Sequence, residues 1–286
     1  MCRFLAYKGV PIVVHKLIFE PKNSLINQSF DAREIEEPLN GDGFGVGWYS
    51  PDIDPEPAVF VSMSPAWSNR NLRYLAPKIR STCIFAHVRA ASVGDIAEAN
   101  CHPFHYKRLM MMHNGGIEGF AQIKRVLRRG LSDEMYSWIH GETDSEHFFA
   151  LFLEFLRAKG DDYKLSDMAD AMNQTVAAVE AMKLAAGVTD GTYLNMVITN
   201  GSEMLATRFV TTDEEPLSLY FSEGSRYVCE DGVCHMMPAD PSEHAVLIVS
   251  EKLTGERGDW RPVPSNHMIL VDKDSKVSFR RMGATA

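Results

Sequence analysis

The sequence predicts an α+β fold in which antiparallel sheet and helices occupy separate blocks of the chain. Three observations lead there. Short apolar runs bounded by Gly, Pro, Asn or Ser recur as far as His113, the mark of buried or half-buried strands. Helical periodicity then takes over, and strand-like runs return from Tyr193 onward. The blocks follow one another without the strict βαβ alternation that a parallel sheet would require.

Taken in order, the first strands are expected over Cys2–Tyr7, Phe44–Tyr49, Ala58–Met63, Cys83–Val88 and Leu109–His113. Pro51–Pro57, with Asp52, Asp54 and Glu56, reads as an exposed loop. Ile117–Arg129 is an amphipathic helix. Its Lys124, Arg125, Arg128 and Arg129 form two i,i+4 pairs on one side, which reads as a solvated face in preference to a phosphate-binding one. Thr143-Asp144-Ser145-Glu146 fits a capping box ahead of the apolar helix His147–Leu156. In Leu165–Ala186 a stripe of Met168, Met172, Val176, Val179 and Met182 reads as core packing. Strands follow over Tyr193–Thr199, Met204–Phe209, Leu217–Phe221, Ala245–Ser250, Met268–Asp272 and Val277–Arg281. Asn200-Gly201 and Lys273-Asp274-Ser275 supply turns between them. No internal repeat or low-complexity linker interrupts the chain, so one domain over 1–286 is expected.

Composition removes several classes of function. Of 286 residues, 45% are hydrophobic and 23% charged, enough to bury a sizeable core. A formal net charge of -9 argues against a general nucleic-acid or anionic-membrane surface. No apolar run reaches the length of a membrane span. The start, MCRFLAYKGV, lacks the parts of a secretory signal, so a cytoplasmic protein is expected. The cysteines at 2, 83, 101, 229 and 234 are odd in number, which makes a disulfide framework a poor reading. Cys229 and Cys234 are spaced for two metal ligands, but no second Cys/His pair stands near them, so no metal is expected. Cys83 reads as a small buried hydrophobe.

Cys2 carries the chemical interest. Removal of Met1 would leave it with a free α-amine, and amine and thiol titrate close together, at about 7.7–8.0 and about 8.5 in isolation. The amine can therefore take the thiol proton without a histidine. By position alone Cys2 is an ordinary residue at the start of a strand. Further segments tip the balance: Asn40–Gly47, with glycine at alternate positions; Ala86-His87-Val88-Arg89-Ala90-Ala91-Ser92; Asn100-Cys101-His102-Pro103; His113-Asn114-Gly115-Gly116, read as a strand ending in a sharp turn; and Thr143-Asp144-Ser145-Glu146. The alternating glycines would leave one strand face bare, so that another layer or a substrate can approach closely.

Met-Cys followed in order by H-x-R-x-x-[ST], N-x-H-P, H-N-G and T-D-[ST]-E resembles the glutaminase domain of class II glutamine amidotransferases. Asn27–Asp31, Asn40–Gly47, Pro65–Asn69, Asn114–Ile117 and Gly255–Trp260 extend the resemblance over roughly residues 1 to 270. They are most similar to the subgroup that holds the amidotransferase-like subunit of the fungal glutathione-degradation complex and the bacterial hydrolase of ergothioneine synthesis. Two departures bear on substrate detail. The glycine run lacks the G-x-[DN]-S-x-G pattern of the larger amidotransferases, and no tryptophan follows Arg89.

The resemblance implies the four-layer αββα sandwich of N-terminal-nucleophile hydrolases and an enzyme that needs no cofactor or metal. Cys2 would attack a γ-glutamyl amide, with Asn114 and Gly115 as the oxyanion hole. Arg89 and Ser92 would hold the substrate α-carboxylate, which a guanidinium can grip with two parallel bonds. Asp144 would hold the α-ammonium. His102 reads as structural support for the loop near Arg89, and His87 and His113 as strand-end histidines with satisfied bonds. The small-molecule substrate would be glutamine or a γ-glutamyl peptide such as glutathione, cleaved through a thioester to release glutamate. A peptidase-like or synthase partner subunit is implied only by the relatives. The contrasting expectation is a non-catalytic subunit that binds glutamine or a γ-glutamyl thiol.

Overall fold

The computed structural model describes residues 2–35, 37–91, 93–230, 233–238, 240, 243–255 and 258–283. Met1, Ser92, Glu256 and Arg257 lie outside them.

In chain order the elements are β1 (Arg3–Val13), α1 (Val14–Ile18), α2 (Leu25–Asp31), β2 (Phe44–Ser50), β3 (Asp54–Ser62), α3 (Arg70–Leu75), β4 (Arg80–Val88), β5 (Phe104–Tyr106) and β6 (Leu109–Ile117). The helical block holds α4 (Phe120–Arg129), α5 (Asp133–Trp138), α6 (Asp144–Arg157) and α7 (Leu165–Ala185). The last third holds β7 (Thr192–Thr199), β8 (Met204–Val210), β9 (Tyr220–Gly224), β10 (Tyr227–Glu230), β11 (Val233–Met236), β12 (Ala245–Val249), β13 (Arg261–Pro262), β14 (His267–Val271) and β15 (Val277–Arg281).

Two antiparallel sheets form the centre. One runs β13-β9-β12-β1-β4-β2-β3 and the other β15-β14-β8-β7-β6-β5. Period-two alternation sends the side chains of each central strand to opposite faces. On β1, Phe4 and Ala6 join Phe85 of β4, Met110 and Met112 of β6 and Val197 of β7 in a layer between the sheets. Leu5 and Tyr7 face the other way, against α1 and α2. On the far side of the second sheet, Met111, Leu194 and Met196 pack against α4, α6 and α7. Three apolar clusters thus separate four layers of structure, helix–strand–strand–helix. The expected αββα sandwich is the fold, and the methionine stripe of α7 is core.

The differences from expectation have local causes. β6 does not stop at a turn after His113. It continues through Asn114, Gly115 and Gly116, which pair with Asn195, Leu194 and Tyr193 of β7. The helix after it therefore begins at Phe120, not Ile117. The exposed loop after Pro51 is shorter than expected, because Asp54 already pairs with Ser50. Leu217 and Ser218 precede β9 instead of starting it, and their carbonyls are used elsewhere. On α4, Lys124 and Arg128 lie over the rings of Phe120 and Tyr136, leaving Arg125 and Arg129 in solvent.

Cys229 and Cys234, expected to be unbridged, form a disulfide. They stand directly opposite each other in the β10–β11 hairpin, a pairing that sequence spacing alone does not display. Cys83 is fully buried, and burial pushes its thiol up to about 12. No described helix is long and apolar enough to cross a membrane.

Candidate active site

The nucleophile candidate stands where β1 begins, flanked by β12 on one side and β4 on the other. Because Phe4 and Ala6 face the layer between the sheets, the alternation aims Cys2 into the end of that layer. Arg3 consequently points to the opposite face. Cys2 is half-buried, and its Sγ approaches the carbonyl of Ala90 at 3.5 Å. Burial raises its thiol pKa. The Ala90 contact, the N-terminal charge, Arg89 and Arg3 pull in the other direction but do not prevail.

Across the layer, the same alternation on β6 puts Asn114 on the face of Met110 and Met112. Asn114 is wholly buried, and neither its Oδ1 nor its Nδ2 has a hydrogen-bond partner among the described residues. An amide with no bond in the interior costs roughly 1–3 kcal/mol, so its retention calls for a function. Gly115 follows with φ 154°, and a Cβ there would meet the Tyr193 carbonyl at 2.0 Å. Only glycine lets β6 pass this close to β7.

The helix side of β6 is fully bonded. His113 contacts the Ser145 hydroxyl at 2.8 Å and the Tyr193 carbonyl at 2.9 Å. Asp144, in the first turn of α6, accepts the Ile117 amide at 2.8 Å through Oδ2 and the Ser145 amide at 2.8 Å through Oδ1. Its Oδ2 is 3.8 Å from where a Gly116 Cβ would be. Half of the expected capping box forms: Thr143 Oγ1 accepts the Glu146 amide. The Glu146 carboxylate turns instead to the amides of His140 and Gly141, at 2.8 and 2.7 Å.

Arg89 is buried just past β4. Its Nη1 donates to the Asp95 carbonyl at 3.1 Å, and its Nη2 to the carbonyls of Val93 and Gly94 at 3.0 and 3.3 Å. It thereby shapes the loop that contains Ser92, which itself lies outside the described residues. A cleft of about 860 Å³ opens between this loop and β6, lined in part by Val93, Gly94, Gly115, Gly116, Tyr193 and Leu217.

His102, expected to support the loop near Arg89, packs against other rings: among the described residues its ring nitrogens have no partners, and it lies tilted against His87 at 4.3 Å and edge-on to Phe104 at 4.6 Å. His87 reaches the His113 carbonyl through Nε2 at 3.1 Å, while its Nδ1 stays unbonded. Burial holds the His87 imidazole down at about 3 and His102 well below its ordinary value, so both are neutral.

Three further residues complete the surroundings. Asn100, inside the N-x-H-P motif, donates to the Asp95 carbonyl at 2.9 Å and accepts the Glu142 amide at 2.9 Å. Asp42, inside the glycine run, accepts the Ala91 amide at 2.8 Å. Glu251 forms a buried pair with Arg3 at 3.7 Å and accepts the amides of Arg33 and Glu34. The first two were visible as motif members; for Glu251, as for Trp260, the sequence leaves open whether it lines the pocket or seals the fold. The face bared by Gly45 and Gly47 is filled by protein: added Cβ atoms would meet the His102 carbonyl at 2.1 Å and Met110 Sδ at 2.4 Å. Trp260 seals the fold within the core, with its Nε1 on Thr254.

The profile of glutamine amidotransferases class-II matches residues 19–285. Among curated proteins, the chain is 42% identical to "Probable glutamine amidotransferase DUG3" of Saccharomyces cerevisiae, over 96% of this chain and 83% of that one. It is 28% identical to "Gamma-glutamyl-hercynylcysteine sulfoxide hydrolase" of Mycobacterium tuberculosis, over 95% of this chain and 93% of that one. Among solved structures, a glutamine aminotransferase class-II domain protein from Silicibacter pomeroyi superposes with a TM-score of 0.71 at 26% identity, covering 99% of this chain and all of the other. Glutamine phosphoribosylpyrophosphate amidotransferase of B. subtilis shares the fold, with a TM-score of 0.59 at 15% identity, over 98% of this chain and 49% of that one.

Proposed function

The chain belongs to the class-II glutamine amidotransferases, and from that premise we propose that it hydrolyses a γ-glutamyl amide with Cys2, freed of Met1, as the nucleophile. The observation that carries this reading is the buried, unbonded amide of Asn114, facing the same layer as Cys2.

The Cys2 thiol gives its proton to its own α-amine, and the thiolate adds to the γ-carbonyl carbon. The carbonyl oxygen takes the negative charge and is met by Asn114 Nδ2–H and the Gly115 N–H. One such donor typically contributes 10²–10³ in rate. As the carbon–nitrogen bond breaks, the α-ammonium protonates the departing amine, leaving a γ-glutamyl thioester on Cys2. Water, deprotonated by the same α-amine, then adds to the thioester, and glutamate leaves as the thiol is restored. Three of the five N–H donors of Arg89 are taken by loop carbonyls; the remaining Nε–H and Nη1–H lie on opposite edges of the guanidinium, so either one gives the substrate α-carboxylate a single charge-assisted bond. Asp144 and Ser92 are assigned to the α-ammonium and the α-carboxylate. No partner subunit enters these steps.

Two relatives point to the leaving group. One is named as a probable glutamine amidotransferase and the other as a hydrolase of a γ-glutamyl sulfoxide, so they share the γ-glutamyl group and differ in what it is attached to. The substrate proposed here is a γ-glutamyl peptide of the glutathione type, with glutamine as the competing one. The test is glutamate release from glutamine, glutathione and other γ-glutamyl amines by wild type and Cys2→Ala. Release from γ-glutamyl peptides that disappears in Cys2→Ala is the expected result. Full activity in Cys2→Ala would sink the mechanism. A strong preference for glutamine would overturn the substrate.

A further inference from the structure

The layer between the sheets has two ends, and β1 crosses it from one to the other. The alternation that sends Cys2, Phe4 and Ala6 into the layer sends Lys8 there as well. Its ladder partners, Val246 of β12 and Cys83 of β4, belong to the same apolar layer. Lys8 lies roughly 20 Å from Cys2, at about 3.3 Å per residue of strand. It is only 6% exposed.

An ammonium at that depth normally has a carboxylate beside it. The Nζ of Lys8 donates instead to neutral acceptors, the Lys273 carbonyl at 3.0 Å and the Ser275 hydroxyl at 2.8 Å. Among the described residues it belongs to no ion pair. One of its three N–H groups is left over. Burial lowers its pKa, and Cys83 and the more distant Asp272, Asp274 and Glu203 oppose this without prevailing. The loop that supplies the acceptors is tightly built. Asp272 Oδ1 accepts the Asp274 and Lys276 amides, each at 2.9 Å. Ser275 is held in the left-handed region, at φ 60°.

Lys8 and Ser275 form part of the wall of a cavity of about 530 Å³, which Val10, Tyr49, Arg108 and Gly201 continue. That volume is in the range of small-molecule sites. Besides His244, the titratable groups on the wall include Lys8, Arg108 and Lys273 against Glu243 and Asp274. Glu243 is already held by Arg226, at 2.8 Å, so positive charge is in surplus. Arg108 is exposed, and its backbone is anchored because its carbonyl accepts the Tyr49 hydroxyl at 2.6 Å.

We infer that this cavity is a second ligand site, which takes a small molecule through one oxyanion group, a phosphate or a carboxylate. Lys8 offers its free N–H from inside, and Arg108 meets the group from the rim with its guanidinium fork. The rest of the ligand lies against Tyr49 and Val10. The oxyanion is the counter-charge that Lys8 lacks. A lysine that merely tethers the loop at Lys273–Ser275 would need neither Arg108 nor the cavity. The site does not depend on the role given to Cys2.

Thermal unfolding at constant ionic strength tests it, with inorganic phosphate or acetate as the probe and chloride as the reference. Phosphate also stabilises proteins generally, by exclusion from their surface, so the readout is the difference between wild type and variants. At a probe concentration ten times its Kd, wild type should gain about 2–4 °C in Tm, along a saturating curve. Lys8→Met, which removes the charge and keeps an unbranched side chain, should gain only the general effect, and so should Arg108→Ala. The second variant is an exposed substitution and carries the comparison if Lys8→Met does not fold. A specific gain with phosphate alone identifies a phosphoryl ligand, with acetate alone a carboxylate, and with both a site that reads charge. A gain undiminished in either variant, or no saturating gain with either probe, overturns the inference.

Discussion

Arg3 shows what a buried charge requires at the start of β1. It stands next to Cys2, faces the other side of the sheet and is only 1% exposed. Burial pulls its pKa down, opposed first by Glu251. Its Nε and Nη1 have no hydrogen bond, so the charge of Glu251 is its main compensation. Removing one member of a buried pair typically costs about 3–5 kcal/mol, because the other charge stays behind. Glu251→Ala is expected to lose stability on that scale, read as a lower midpoint in urea. A loss under about 1 kcal/mol would place the pair among those that water already screens. This residue also marks a limit of sequence reading. Arg3 and Glu251 are 248 positions apart, and no local pattern announces that they meet. Asn114, Arg89 and Asp144 were legible because each sits in a short motif.

At the scale of the element, β2 gives the clearest reading. Its alternating glycines announced a close approach, and the approaching group is the chain at His102–Pro103 together with Met110. Gly45→Ala would press a methyl group against the His102 carbonyl, a backbone atom that cannot swing aside. The expected cost is about 1–3 kcal/mol or more. Gly255→Ala, which meets nothing within 4 Å, is the control and should leave the midpoint unchanged. Equal effects from the two would remove the packing explanation. β6 gives the opposite lesson. His-Asn-Gly-Gly looks like a turn because Asn-Gly so often makes one. Eight consecutive pairs with β7, from Met110 through Ile117, keep it extended, and tertiary pairing overrides the local preference. The β10–β11 hairpin was missed for a similar reason. It is short, its apolar residues do not alternate clearly, and only the pairing in space brings Cys229 to Cys234.

The whole molecule stores several neutral histidines in its interior. Burial holds His87 at about 3 and His147 at about 4, and lowers His102 and His113 as well. The unfolded chain takes up these protons near 6.5 and the folded one refuses them until far lower pH. Stability from this source is therefore intact above about pH 6.5 and falls as pH drops from there toward 4 and 3. Each site contributes a slope of up to about 1.4 kcal/mol per pH unit. The urea midpoint should decline steadily from pH 7 to pH 5; a flat profile there would mean that the imidazoles are reached by water. The block order of strands and helices made the sandwich legible, because segregated elements leave few ways to bury two sheet faces. The order of strands within each sheet was not, since pairings such as β1 with β12 join the two ends of the chain.

The position of β1 has one practical consequence. The strand is enclosed by neighbours on both edges, and Cys2, just ahead of it, stands at the end of the layer between the sheets. On the proposed mechanism, a purification handle fused ahead of Cys2 would lock its α-amine inside an ordinary peptide bond and crowd the entrance. Whoever prepares this protein should attach the handle at the opposite terminus, and should ask of every preparation whether the host's aminopeptidase has finished its work.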